Sequence, residues 1–148
     1  MKCWVVLLLL LLPACATSPP MIFTVDGVEI ETWEAVETTS MNTQIETAVA
    51  VGETWPQSPL RITIELLGGD VDTRILRIEE AKSRTEGADT TAVVVIRDGF
   101  LDDSVRGDWH RIVFSRESDR TWRVHSARRA FRCYRGHHLE SYSRQWCP

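Results

Sequence analysis

The stretch WHRIVFSRESDRTWRVHSA, Trp109–Ala127, decides the fold. Ile112 and Phe114 alternate with Arg111 and Val113, and Trp122 and Val124 alternate with Arg123 and His125. Alternation with period two marks a strand with one buried face. Between the two runs, Arg116–Arg120 reads RESDR, a polar loop of hairpin length. The expectation is two antiparallel strands, Trp109–Arg116 and Thr121–Ala127, apolar on one face and basic on the other.

Outward from this hairpin, AVVVI (Ala92–Ile96) reads as a buried strand stopped at Asp98-Gly99, and Val71–Glu79 as a further candidate. Towards the N-terminus the spacing changes. Trp33, Val36, Met41, Ile45, Ala48 and Val49 approximate a helical period, with Thr39 or Ser40 as cap and Gly52 as stop. Gln57–Gly69 carries two signals. Ile62, Ile64 and Leu66 alternate as in a strand, yet Ser58 suits an N-cap, Pro59 the first helical position and Gly68 a C-cap. The boundary chemistry favours a short helix over residues 58–67. Asp26-Gly27 is a two-residue turn signal, for a small hairpin or a kinked strand. Helical material followed by an antiparallel meander is the α+β pattern, with N-terminal helical segments on a sheet of three to five strands.

The opening MKCWVVLLLLLLPACATSPP has the parts of an export signal. Lys2 and the amino terminus precede a nine-residue apolar run, Trp4–Leu12, well short of the about 20 residues that span a bilayer. Leu12-Pro13-Ala14-Cys15 then resembles a bacterial lipobox, although Pro13 is not a favoured residue there. That resemblance implies a signal peptide over residues 1–14, a lipidated Cys15, a stiff polar tether over 15–21 and one α+β domain over 22–148. Ala16 after the cysteine implies, on the same resemblance, the outer membrane, facing the periplasm. The competing reading is ordinary cleavage after Ala16 and release as a soluble periplasmic or secreted protein. Cys3 falls in the removed segment on either reading.

Length, 43% hydrophobic and 26% charged residues suit one soluble domain with a modest core. A net charge of −4 argues against a nucleic-acid partner. Charge is divided along the chain. Cys15–Ser104 holds seventeen acids against six Lys or Arg, and Val105–Pro148 holds ten Arg against four acids. Either the two halves neutralise each other on folding, or the second presents a basic face to an anionic partner.

The chain closes on CYRGHHLESYSRQWC, Cys133–Cys147. In an exported protein its two cysteines are expected to pair and staple a C-terminal loop of 15 residues. A metal site of Cys133, His137, His138 and Cys147 lacks a usual zinc spacing, and adjacent histidines on an extended chain point apart. His137 or His138 as a base with Asp102, Asp103 or Ser104 has no supporting motif; GFLDDSVRGD reads as a polar loop whose Asp side chains bond the backbone. Arg123, Arg128, Arg129, Arg132 and Arg135 fall close together, and arginine forks onto phosphate or carboxylate. They read as partners of the acidic front half, or as a site for an anionic envelope lipid headgroup or polymer. Of the tryptophans, Trp33, Trp55, Trp109 and Trp122 read as packing residues and Trp146 as a cover for the disulfide.

LDDSVRG (Leu101–Gly107), Trp122, CYRGH from Cys133 and the final Cys147 resemble a family of small exported bacterial proteins with a DDSV segment and a Cys–Arg-Gly-His–Cys tail. The resemblance implies an exported protein and carries no activity. The expected function is a non-catalytic, lipid-anchored envelope protein, a binding or structural module without cofactor. The alternative is a soluble anion binder using the arginine face, and a hydrolase-like enzyme ranks third.

Overall fold

The computed structural model describes residues 28–69 and 72–148. The signal peptide, Cys15, the tether and the Asp26-Gly27 turn lie outside the described residues. Five strands form one antiparallel sheet: β1 (Glu34–Val36), β2 (Thr73–Lys82), β3 (Thr90–Phe100), β4 (Val105–Arg116) and β5 (Trp122–Cys133), in the order β1-β5-β4-β3-β2. Helices α1 (Thr39–Ala50) and α2 (Pro59–Leu67), with a single 3-10 turn at Trp55–Gln57 between them, come before β2. The α+β expectation holds.

The hairpin read at Trp109–Ala127 is β4–β5, with Arg116 opposite Trp122 and Phe114 opposite Val124. Asp119 accepts the Thr121 N–H at 2.9 Å and shapes the turn. Val113 faces Ser126 while Phe114 faces Val124, which leaves His125 as the extra residue of a bulge. Both strands run beyond the expected ends, to Val105 and Cys133. β3 likewise continues through Asp98-Gly99, because Gly99 adopts φ +78° without breaking its register with β2.

The helix-side face of the sheet holds the main core: Val93 and Val95 of β3, Ile112 and Phe114 of β4, and Trp122, Val124 and Ala127 of β5, packed on Ile45 of α1 and Ile62 of α2. α2 forms as its boundary residues dictate. Ser58 is the extended N-cap, Pro59 opens the helix, and Gly68 closes it at φ +70°. α1 is shorter than its apolar spacing suggested. Trp33 precedes it and Val36 belongs to β1, whose three residues pair with Ala127–Arg129 of β5. The apparent period ran across a strand–helix junction. Within α1 the threonines bond back along the helix, Thr43 to the Thr39 carbonyl and Thr47 to the Thr43 carbonyl.

The other face is not simply basic. It carries a second apolar cluster of Val94, Ile96, Trp109, Ala130 and Tyr142, with Val28 and Ile30 packed on it. Tyr142 donates its N–H to the Glu29 carbonyl (2.8 Å), and its own carbonyl accepts from Glu31 (2.9 Å). Cys133 and Cys147 form a disulfide, both buried, in a third cluster with Phe131 and Val105. Gly107 is required where β4 presses on β3: a Cβ there would lie 2.3 Å from the Arg97 carbonyl oxygen.

Candidate functional site: an aromatic hollow over a buried charged trio

Asp108 of β4 lies opposite Arg97 of β3 and Phe131 of β5, so the three form a row across the helix-side face. His110 is two residues further along β4, on the same face. Arg97 forks onto Asp108, with Nε to Oδ1 at 2.9 Å and Nη2 to Oδ2 at 2.6 Å. Its remaining Nη1 donates to the Leu67 carbonyl at 3.0 Å, satisfying the C-terminal end of α2. His110 Nε2 is 2.9 Å from Asp108 Oδ2. All three side chains are nearly buried. Burial pushes the Asp108 carboxyl up, but the hydrogen bonds from Arg97 and His110, with their charges, outweigh it and hold it below the usual carboxylate range. Both oxygens are committed to Arg97, so the trio is built as a tie between sheet and helix rather than as a mobile base.

Beyond the trio, past the helices, the sheet end opens into a hollow of about 430 Å³. Buried Phe131 and Asp108 line it with Val105, Phe100, Leu101 and Trp146, and Asp72 and Asp102 add two further carboxylates. Trp146 packs edge-on against Phe131, centroids 4.5 Å apart, and remains 67% exposed. The tryptophan expected to cover the disulfide therefore stands on its neighbour and faces the hollow. Asp102 shapes the rim by accepting the N–H groups of Ser104 and Val105, both at 2.7 Å, and these bonds lower its carboxyl below the ordinary value.

The five arginines do not converge. Arg123 pairs with Glu46 of α1, Arg129 with Glu34 of β1, and Arg135 with Asp103. Arg132 holds Asp98 at 2.9 Å and Glu140 at 2.8 Å, and donates to the Leu139 carbonyl. Arg128 stacks over the Trp33 ring at 3.8 Å. Several of these pairs join the basic back half to the acidic front half, as neutralisation of the two halves requires. Arg111, beside Arg128 on the face away from the helices, has its guanidinium pKa lowered by burial and by the Arg128 charge.

The histidines and the DDS segment also go separate ways. His138 reaches Gln145 at 2.9 Å and Glu31 at 3.1 Å, and its ring lies 6.1 Å from that of His137. Ser104 Oγ and Asp103 both accept from Arg135. Cys133 and Cys147 are spent on each other. Among the described residues no group of three or more His, Cys, Asp or Glu is placed to hold a metal ion, and no helix is long and apolar enough to cross a membrane.

Arg97, Asp108 and His110 were not singled out from sequence. The signal was available: Asp108, His110, Ile112 and Phe114 share one alternation, so two polar residues continue an apolar face. The chain matches no family model, no curated protein and no solved structure. The likeness carried by Leu101–Gly107 and Cys133–Cys147 rests on those residues alone.

Proposed function

We propose that this protein is an exported, non-catalytic binding module, held by lipid on Cys15 at the outer membrane and facing the periplasm. The observation that carries the reading is the C-terminal tail. A disulfide fixes an exposed Trp146 beside a hollow lined by Phe100, Leu101 and Phe131. A disulfide of this kind suits an oxidising compartment, which supports export. An apolar hollow with a few polar groups is the usual form of a binding site. Anion binding by Arg123, Arg128, Arg129, Arg132 and Arg135 has less support, since four of the five already hold acids.

The test is the intact mass of the protein recovered from bacterial cells, without reduction. The expected mass is that of a chain starting at Cys15 with two or three acyl chains and two fewer hydrogens than the dithiol. A free N-terminus at Thr17 would replace the anchored reading by the soluble one. Two free thiols would remove the argument for export.

A further inference from the structure

Four separate segments converge on the hollow beside the charged trio. Phe100 ends β3 and Asp102 follows it, Phe131 stands near the end of β5, Trp146 comes from the tail, and Asp72 precedes β2, whose Thr73 pairs with Phe100. The rings of Phe131 and Trp146 meet at 74°, so they form a corner rather than a flat stack. Two of the three rings already take a cation over a face. The Arg97 guanidinium lies 5.5 Å from the Phe100 centroid, and that of Arg129 lies 5.4 Å from the Phe131 centroid. Each of these arginines has its own acid, Asp108 for Arg97 and Glu34 for Arg129. The exposed Trp146 ring has no cation over it among the described residues. The acids are left in excess. Asp72 and Asp102 are exposed and have no ion-pair partner among the described residues. Asp102 Oδ1 accepts from the Ser104 and Val105 backbone, and the neighbouring Arg135 is turned to Asp103 and Ser104 Oγ.

We infer that the hollow takes an organic ammonium ion alkylated at nitrogen, its alkyl groups against the Trp146 and Phe131 rings and its charge towards Asp72 and Asp102. The inference deepens the proposed function and rests on the hollow being the binding site of the module. The electrostatics select the sign of the ligand. Aromatic faces are negative, and two carboxylates without counter-ions stand at the same opening, so an anion meets repulsion on every side. The lining selects the kind of cation. A primary ammonium is a compact, strongly hydrated charge that keeps its water in an open hollow. An alkylated ammonium presents methyl groups to ring faces and apolar walls, brings no N–H donors that need acceptors, and is the cation that aromatic corners recognise. The Cys133–Cys147 bond holds the residue next to Trp146, so one wall of the site is set before the ligand arrives. The same head group occurs on free small cations and on zwitterionic lipids, and both present the chemistry that this site reads.

Titration of the full chain, disulfide intact, with four probes tests this: choline, ethanolamine, the neutral carbon isostere of choline, and phosphocholine. Binding is read from the Trp146 indole N–H resonance, assigned as the one missing from Trp146→Ala, and from the choline methyl protons. Choline is expected to bind with a Kd of about 1 mM, since it has few atoms to contact. Ethanolamine and the neutral isostere are each expected to bind about fivefold more weakly or worse. Trp146→Ala is expected to raise the choline Kd about fivefold. Asp72→Asn with Asp102→Asn removes both charges while leaving position 102 an acceptor for Ser104 and Val105, and is expected to bring choline and its neutral isostere within about twofold of each other. Far-UV circular dichroism checks that the variants fold. Phosphocholine binding as tightly as choline supports the site with a lipid headgroup as its source, and exclusion of phosphocholine supports it with a free cation. The inference is overturned, with the hollow still a binding site, if ethanolamine or the neutral isostere binds as tightly as choline. It is also overturned if choline binding is the same in all the variants, which places the cation elsewhere. If no probe moves the Trp146 resonance, the hollow fails as a site and the inference falls with it.

Discussion

Asn42 of α1 closes both backbone hydrogen bonds of Val124: its Nδ2 donates to the carbonyl at 3.0 Å and its Oδ1 accepts the N–H at 2.8 Å. A single side chain thus stands in for a missing neighbour strand, at the point where β1 has not yet begun to pair. Asn42→Ala should destabilise the fold by about 1–3 kcal/mol, as two part-buried backbone groups lose their partners. Asn42→Asp, which keeps the acceptor alone, should fall between. Urea unfolding measures both, and the Val124 amide should exchange hydrogen faster in each variant.

Asp108 holds its charge inside the fold against Arg97 and His110. Asp108→Asn leaves the Arg97 guanidinium buried without its counter-charge and should cost about 3 kcal/mol or more. The pH response follows from the lowered carboxyl. Its contribution is complete above the unfolded-chain value near 4 and is lost as pH falls through the lower folded value. Wild-type stability should therefore drop on acidification below about pH 4, and the drop should be smaller in Asp108→Asn. Thermal melts of the two chains across that window measure the difference.

The Cys133–Cys147 bond closes a loop of 14 residues' sequence separation. Cys147→Ser should lower stability by about 3 kcal/mol on the chain-entropy account. The same variant should free the tail, so that trypsin cleaves after Arg135 and Arg144 well before it cuts the sheet. Equal proteolysis of the reduced and oxidised wild type would show that other contacts hold the tail.

Gly107→Ala pushes a methyl group to 2.3 Å from the Arg97 carbonyl oxygen, a backbone atom that cannot swing aside. The strands must part locally, and the expected loss is about 1–3 kcal/mol. Chemical denaturation measures it, and the Arg97–Asp108 pair beside it should weaken in parallel.

Tyr142 is pushed up to about 12 by burial and then by the Asp98 charge. Its folded form prefers the neutral phenol, so this residue leaves stability unchanged below pH 10 and withdraws it as pH rises from 10 towards 12. Ultraviolet titration should show one phenol ionising late, and Tyr142→Phe should remove that late step.

The meander was legible because β4 and the start of β5, up to the bulge at His125, alternate and α2 is bounded by Ser58, Pro59 and Gly68. β1 was hidden because three residues carry too little period to separate them from the helix after them. The disulfide was legible from the export signal, and the dispersal of the arginines was foreseeable in the acidic front half. The hollow was not legible. Phe100, Phe131 and Trp146 come from two strands and the tail, and only the register that sets Asp108 opposite Phe131 brings them together.

The clasp between Glu29–Glu31 and Tyr142 also decides how the molecule bears load. The bridge at Ile30 and Tyr142 is parallel, so a pull on the chain before Val28 shears both of its hydrogen bonds at once instead of peeling them in turn. Tension that passes them enters a segment closed on itself by the Cys133–Cys147 bond and ends in a covalent ring. A pull from the chain before Val28 therefore meets this clasp before it reaches the sheet.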